Sequence, residues 1–210
     1  MNVLRVDASI QGPASASSAL ADLVTSELTQ ARPEATVVRR HLGSEPLPAE
    51  AWPAAIAGQF TPEADRTPAQ LEALALATSI ADELRAADVA VLALPLYNWG
   101  VSQHVKTWID LAIAGSSAGT PLLQGTPTVL LATRGGSYQP GTPKEGWDHS
   151  VAYLRRILGE VWQADLTVVE RELTLAGVNP AMDDFLEAAQ LIKKEAETAA
   201  VDAGRALASR

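Results

Sequence analysis

The chain has 210 residues, 47% hydrophobic and 20% charged, with no cysteine and a formal net charge of −9; it is long enough to bury the core of one globular domain, residues 1–210. The acidic balance without any basic run argues against nucleic acid or an anionic membrane face as partner, no apolar stretch is long enough to span a bilayer, and the lack of cysteine excludes a disulfide framework, a thiol nucleophile and a Cys-ligated metal. Met1-Asn2-Val3 enters a strand pattern without a signal-peptide n-region, so a cytoplasmic protein is expected.

Val3 to Asp7 is short and apolar-rich, consistent with a first strand. A small-residue loop, Ser9 to Ser18, leads into a helical stripe of Leu20, Leu23, Val24 and Leu28 that ends before Pro33. The second strand lies within Ala35 to Leu42. Gly43 to about Arg66 reads as a long loop, and long loops in compact domains tend to be functional or disordered. Thr67-Pro68-Ala69-Gln70 predicts a helix start with Thr as N-cap, Pro at N1 and Gln completing a capping box. That helix runs to about Ala86 and is expected to bury Leu71, Leu74, Ala75 and Ile80.

Val89 to Leu94 is a continuous apolar run, the pattern of a strand covered on both faces of a parallel sheet. Pro95 ends it, Leu96 to Gly100 is a loop, and Ser102 caps a helix whose apolar face is Val105, Trp108, Ile109 and Ala112. After a flexible stretch, Gly115 to Gly125, a fourth strand spans Thr128 to Ala132 and opens into Thr133-Arg134-Gly135-Gly136-Ser137-Tyr138. Ser150 to Leu158 is helical, Ala164 to Val169 is a fifth strand, and Pro180 to about Ala208 is the last helix. Regular alternation of strand and helix predicts a doubly wound α/β domain with a five-stranded parallel sheet, and the flavodoxin-like order 2-1-3-4-5 is the natural expectation.

In that order the carboxyl ends of strands one, three and four are neighbours, and open α/β sheets bind ligands there. The Ser9–Ser18 loop runs into a helix N-terminus, whose free N–H groups and positive dipole end suit a phosphate; as a plain N-capped turn it would need no ligand. Tyr97 and Trp99 flanking Asn98 suit a flat heteroaromatic group, although core aromatics in an ordinary strand–loop–helix read the same way. Gly135-Gly136 allows close approach of backbone to a ligand, or simply a tight turn. There is no G-x-G-x-x-G after the first strand, no P-loop and no G-x-S-x-G elbow. His41, His104 and His149 have no metal-like spacing, so no metal is expected, and His104 is expected on a helix surface.

Pro95-Leu96-Tyr97-Asn98-Trp99 with Gln103, Lys106 and Asp110-Leu111, the run Pro68 to Leu76, and Thr133-Arg134-Gly135-Gly136 together resemble the FMN-dependent NADH-azoreductases, members of the flavodoxin-like quinone reductases. The resemblance covers nearly the whole chain. It implies a homodimer with one FMN per subunit near the dimer interface. NADH or NADPH would serve as electron donor, and quinones or azo compounds would accept two electrons by a ping-pong mechanism. It also implies that Ser9, Ser15, Ala16 and Ser17 form the FMN phosphate loop. Leu96, Tyr97, Asn98 and Trp99 would form the isoalloxazine loop, and Thr133, Arg134, Gly135 and Gly136 a second flavin-edge loop. No catalytic residue is implied, because hydride transfer belongs to the cofactor.

The chain departs from the resemblance at several positions. Ser15-Ala16-Ser17 stands where many members carry Ser-Gln-Ser, and Tyr138 where many carry a His, which makes Tyr138 a substrate-contact candidate. Gly115 to Gly119 replaces a Thr-Phe pair, and Leu158-Gly159-Glu160-Val161-Trp162 replaces Leu-Gly-Phe-Ile-Gly. Two alternatives share the fold: a non-enzymatic electron carrier and a flavin-less binding protein. Trp52 and Phe60, in a stretch of small residues, are candidates for an interface, or for folding back on their own core.

Overall fold

Five strands pair in parallel in the order β2-β1-β3-β4-β5 in the computed structural model, which describes residues 1–210. They are β1 (Asn2–Asp7), β2 (Thr36–His41), β3 (Val89–Ala93), β4 (Pro127–Thr133) and β5 (Asp165–Arg171). The expected flavodoxin-like order is therefore the observed one. β3 is buried at every position because it is central and covered on both faces, which is why its sequence shows no alternation. β2, at one edge, leaves Val37 and Val38 exposed. Register aligns Asp7 with Ala93, and Ala93 with Leu131, so the loops after β1, β3 and β4 open along one edge of the sheet.

Helices α1 (Ala16–Ala31) and α6 (Leu186–Ala208) cover one face, where Leu20, Val24 and Leu28 pack with Val91, Leu131, Ala200 and Leu207. The other face is larger and is covered by α2 (Ala51–Phe60), α3 (Pro68–Arg85), α4 (Gln103–Ala114) and α5 (Val151–Arg155). The apolar stripe expected for α4 is buried in full, and Ser102 Oγ caps it by accepting from the Val105 N–H at 3.3 Å. Trp108 of α4 meets Trp162 edge to face at 5.4 Å, both rings being buried.

Three expectations need correction. The Gly43–Arg66 stretch is not structureless: it holds α2 and a 3₁₀ turn at Glu63–Asp65. Pro53 is tolerated because first-turn N–H groups have no helical partner. α2 buries Ala51, Ala55 and Gly58, small residues that leave no bulky stripe to read. In α3 the capping box forms as expected, with Thr67 and Gln70 bonded reciprocally. Its buried face is Ala73, Ala77, Ile80, Ala81 and Leu84, whereas Leu71 and Ala75 are exposed. Small residues face inward because the neighbouring helices come close, so a stripe drawn through the large residues points the wrong way. The helix expected at Ser150–Leu158 is α only over Val151–Arg155 and continues as a π-helix, Arg156–Val161, with Trp162 N–H donating to Ile157 O at 2.8 Å. Ahead of α6, Pro180–Phe185 forms a 3₁₀ turn.

Candidate active site

At the carboxyl edge of the sheet the loops enclose a cavity of about 310 Å³, within the range of small-molecule sites. Its floor is the start of α1. Ser15 is the N-cap, its Oγ accepting from Ser18 N–H at 3.1 Å and lying 3.2 Å from Ser17 Oγ. The backbone N–H groups of Ala16 and Ser17 have no acceptor within the protein, and both residues border the cavity. This is a neutral cradle for an anion, built from unpaired helix donors and hydroxyls.

The cradle is held from below by charge. Arg5 and Asp7, adjacent inward positions on β1, are both buried. Arg5 donates to Asp7 at 2.8 and 3.1 Å, to Asp22 at 2.6 Å and to the Ser18 carbonyl at 3.2 Å, tying the first turns of α1 to the strand. Arg39 donates to Asp7 at 2.8 Å. Burial pushes the Asp7 carboxyl up, but the hydrogen bonds and charges of Arg5, with Arg39, more than reverse this and hold it below its ordinary value. Gly43 is required just behind: a Cβ there would lie 2.0 Å from the Ser9 carbonyl oxygen.

One wall comes from the β3–α4 loop. Tyr97 Oη receives the Ile10 N–H at 3.1 Å and lies 3.3 Å from Ser9 Oγ, so this phenol pins two loops together. Tyr97 and Gly100 exchange backbone hydrogen bonds at 3.1 and 3.0 Å across Asn98 and Trp99. Both central residues have left-handed backbone, φ 46° and 65°. Positive φ at both centres is the type I′ arrangement, natural for Asn and costly for Trp. Trp99 is partly exposed, meets Trp147 edge to face at 5.8 Å, and its carbonyl accepts from His149 N–H at 2.9 Å.

The opposite wall holds Thr133 at the end of β4, Gly135 just after it, and Thr174, Leu175 and Val178 after β5. Sequence reasoning missed the last three. The leucines at 173 and 175, shortly after the fifth strand, were the available signal, since β5 ends beside β4. Of the candidate residues, Ser9, Ser15, Ala16, Ser17, Leu96, Tyr97, Thr133 and Gly135 line the cavity together. Asn98 lies instead in a neighbouring cavity with Tyr97 and His104, the latter half-buried on the first turn of α4. Gly136 borders a separate cavity, and Trp99 lines none of the three.

Arg134 is turned away from the cavity. Its guanidinium pairs with Asp148, with Glu170 at 2.6 Å and with Glu172 at 3.2 Å, and its carbonyl accepts from Thr174 N–H. Burial works against its charge, but Glu170 and Asp148 win, and its pKa is raised. Glu172, also buried, accepts from Ser137 Oγ at 2.9 Å and Tyr138 N–H at 3.1 Å. The cluster thus fixes the loop that carries Gly135, Gly136 and Tyr138. Burial, and then the Asp148 carboxylate, raise the Tyr138 phenol above its ordinary value. No group of three or more His, Asp or Glu side chains is placed to hold a metal ion.

Residues 1–196 match the family model described as having a flavodoxin-like fold. A protein of Frankia alni named FMN-dependent NADH:quinone oxidoreductase is 38% identical over 203 residues, spanning 94% of this chain and 96% of that protein. The chain belongs to this flavodoxin-like family of FMN-dependent NADH:quinone oxidoreductases. A family member of Streptomyces coelicolor with the same name is 36% identical over 214 residues, covering 99% and 96% of the two chains. Among solved structures, an azoreductase of Bacillus anthracis superposes with a TM-score of 0.76 at 25% identity, over 98% of this chain and 99% of that one. Membership in the family sets the cavity and its neutral anion cradle in the context of flavin-dependent redox chemistry.

Proposed function

We propose that this protein binds FMN at the three-loop edge and transfers two electrons from NADH or NADPH to quinones or azo compounds. The observation that carries this reading is the cradle at the start of α1: unpaired Ala16 and Ser17 N–H groups and the Ser9, Ser15 and Ser17 hydroxyls border a cavity that contains no Lys or Arg. Such a donor set fits a phosphate monoester held by helix dipole and neutral hydrogen bonds. FMN, when bound, supplies the two-electron hydride chemistry.

The chain's own residues bind and orient. Ser9, Ser15, Ala16 and Ser17 hold the phosphate. Leu96, Tyr97, Asn98 and Trp99 hold the ring from the β3–α4 loop, and Thr133, Gly135 and Gly136 offer backbone to its edge. Arg134 acts indirectly, by fixing that last loop through Asp148, Glu170 and Glu172. Donor and acceptor enter the same opening in turn, which gives ping-pong kinetics. Tyr138 is the proposed contact for the acceptor. The working assembly is a two-fold homodimer in the cytoplasm, and the chain forms a single domain over 1–210. No helix is long and apolar enough to cross a membrane.

The test is direct. Protein purified as expressed, or reconstituted with FMN, is heated and the released flavin identified by chromatography; NADH oxidation is then followed with benzoquinone as acceptor. FMN released in near-equal ratio to chain, together with steady quinone-dependent NADH oxidation, is the expected result. FAD as the bound species, or no flavin after reconstitution, overturns the proposal.

A further inference from the structure

Beside the first cavity lies another, of about 380 Å³, at the junction of the β4–α5 loop and the turn before α6. The two share Leu175, with Gly135 bordering one and Gly136 the other. Leu175 sits hard against this dividing strip, since a Cβ on Gly135 would meet its Cδ1 at 2.7 Å. The walls of the second cavity are apolar: Pro143, Leu173, Leu175, Met182 and Phe185. Phe185 remains 48% exposed, so its ring keeps a face free for a ligand.

Its polar groups are largely committed. Ser137 Oγ donates to Glu172 at 2.9 Å, Thr142 Oγ1 donates to the Gln139 carbonyl at 2.8 Å, and Asn179 Oδ1 accepts from Ala181 N–H at 3.1 Å. Glu172, the buried carboxylate behind Ser137, is engaged by Arg134. What is left uncommitted is the Asn179 side-chain NH₂ and the Lys144 ammonium, which forms no ion pair and stands 6.0 Å from the centre of the Tyr138 ring. Both groups donate and neither accepts. In a chain of net charge −9, a lysine without a carboxylate partner at the rim of an apolar cavity is a site prepared for an anion with a hydrophobic body.

We propose that this second cavity binds a small aromatic carboxylate, its ring against Phe185, Met182 and Leu175 and its carboxylate at Lys144 and Asn179. The site draws nothing from α1; it is additional to the proposed flavin cavity and meets the proposed flavin site at Leu175 and at the Gly136 backbone.

Calorimetric titration with naphthalene-2-carboxylate tests it, on protein with and without saturating FMN. One molecule is expected to bind per chain in both states. Loss of an ion pair at an exposed lysine should make Lys144→Met bind roughly two- to fivefold more weakly, with Lys144→Arg near wild type. The neutral 2-naphthamide should bind wild type as weakly as the carboxylate binds Lys144→Met. Displacement of the carboxylate by FMN, equal binding of the amide, or an unaffected Lys144→Met variant each overturns the proposal, as does no binding at millimolar concentration. Flavin retention, measured separately on the same samples, distinguishes a failure here from a failure of the flavin reading.

Discussion

At the scale of single residues, Asn98 and Tyr138 carry the proposed contacts to flavin and acceptor. Asn98 combines a left-handed backbone with an amide in the β3–α4 loop, proposed to hold the flavin ring. A lost buried hydrogen bond costs roughly 1–3 kcal/mol when its partner stays unsatisfied. Replacement by Ala adds left-handed backbone strain of about 1–2 kcal/mol that Gly does not. Both Asn98→Ala and Asn98→Gly should therefore weaken FMN binding in a fluorescence titration, Ala more than Gly. An Asn98→Gly variant with wild-type affinity would mean that the residue serves only the turn. Tyr138 has a phenol raised above 10.0 by burial and by the Asp148 carboxylate, so it stays neutral throughout the working range. The benzoquinone rate of the wild type should show no ionisation between about pH 6 and pH 9 that disappears in Tyr138→Phe, for a neutral phenol can donate a hydrogen bond but does not exchange its proton there.

At the scale of elements, the site depends on how closely the β1–α1 loop is packed. Gly43, just after β2, leaves no room for a Cβ against the Ser9 carbonyl oxygen. Gly43→Ala must displace Ser9, the residue that meets Tyr97 and borders the phosphate cradle. It should weaken FMN binding by tenfold or more while leaving far-UV circular dichroism unchanged; an FMN affinity equal to wild type would show that the loop moves freely. The buried Arg5–Asp7 pair anchors the same element from beneath. Asp7 has a depressed folded pKa, so its contribution to stability is complete above the unfolded value and lost as pH falls through the folded one. Removing one partner of a buried pair costs about 3–5 kcal/mol. Urea unfolding should find Asp7→Asn less stable at pH 7 by that order, and its stability should fall less steeply than that of the wild type below about pH 4. An equal acid slope in both proteins would assign the acid sensitivity to other carboxylates.

At the scale of the whole molecule, α2 presents Trp52 and Phe60 outward; Phe60 is 85% exposed and makes no use of its own core. Exposed aromatics of this kind are common interface anchors. If they anchor a homodimer, Phe60→Ser should lower the association constant measured by sedimentation by more than tenfold without lowering the stability of the isolated chain. A wild-type chain that sediments as a monomer at micromolar concentration would remove the assembly from the proposal.

Sequence alone pointed to the strand order and to the loops that share one edge of the sheet, because parallel strands buried on both faces read as unbroken apolar runs and fixed connectivity puts their carboxyl ends together. It also determined the local caps at Ser102 and Thr67, which depend only on residues within one turn. Tertiary structure decided the rest. Helix α2 and the buried face of α3 were hidden because alanine and glycine carry little pattern, and what buries them is the approach of neighbouring helices. Thr174, Leu175 and Val178 of the opposite wall came into the site only through the adjacency of β4 and β5. Arg134 left the cavity for Asp148, Glu170 and Glu172, residues far along the chain that only folding brings around one guanidinium.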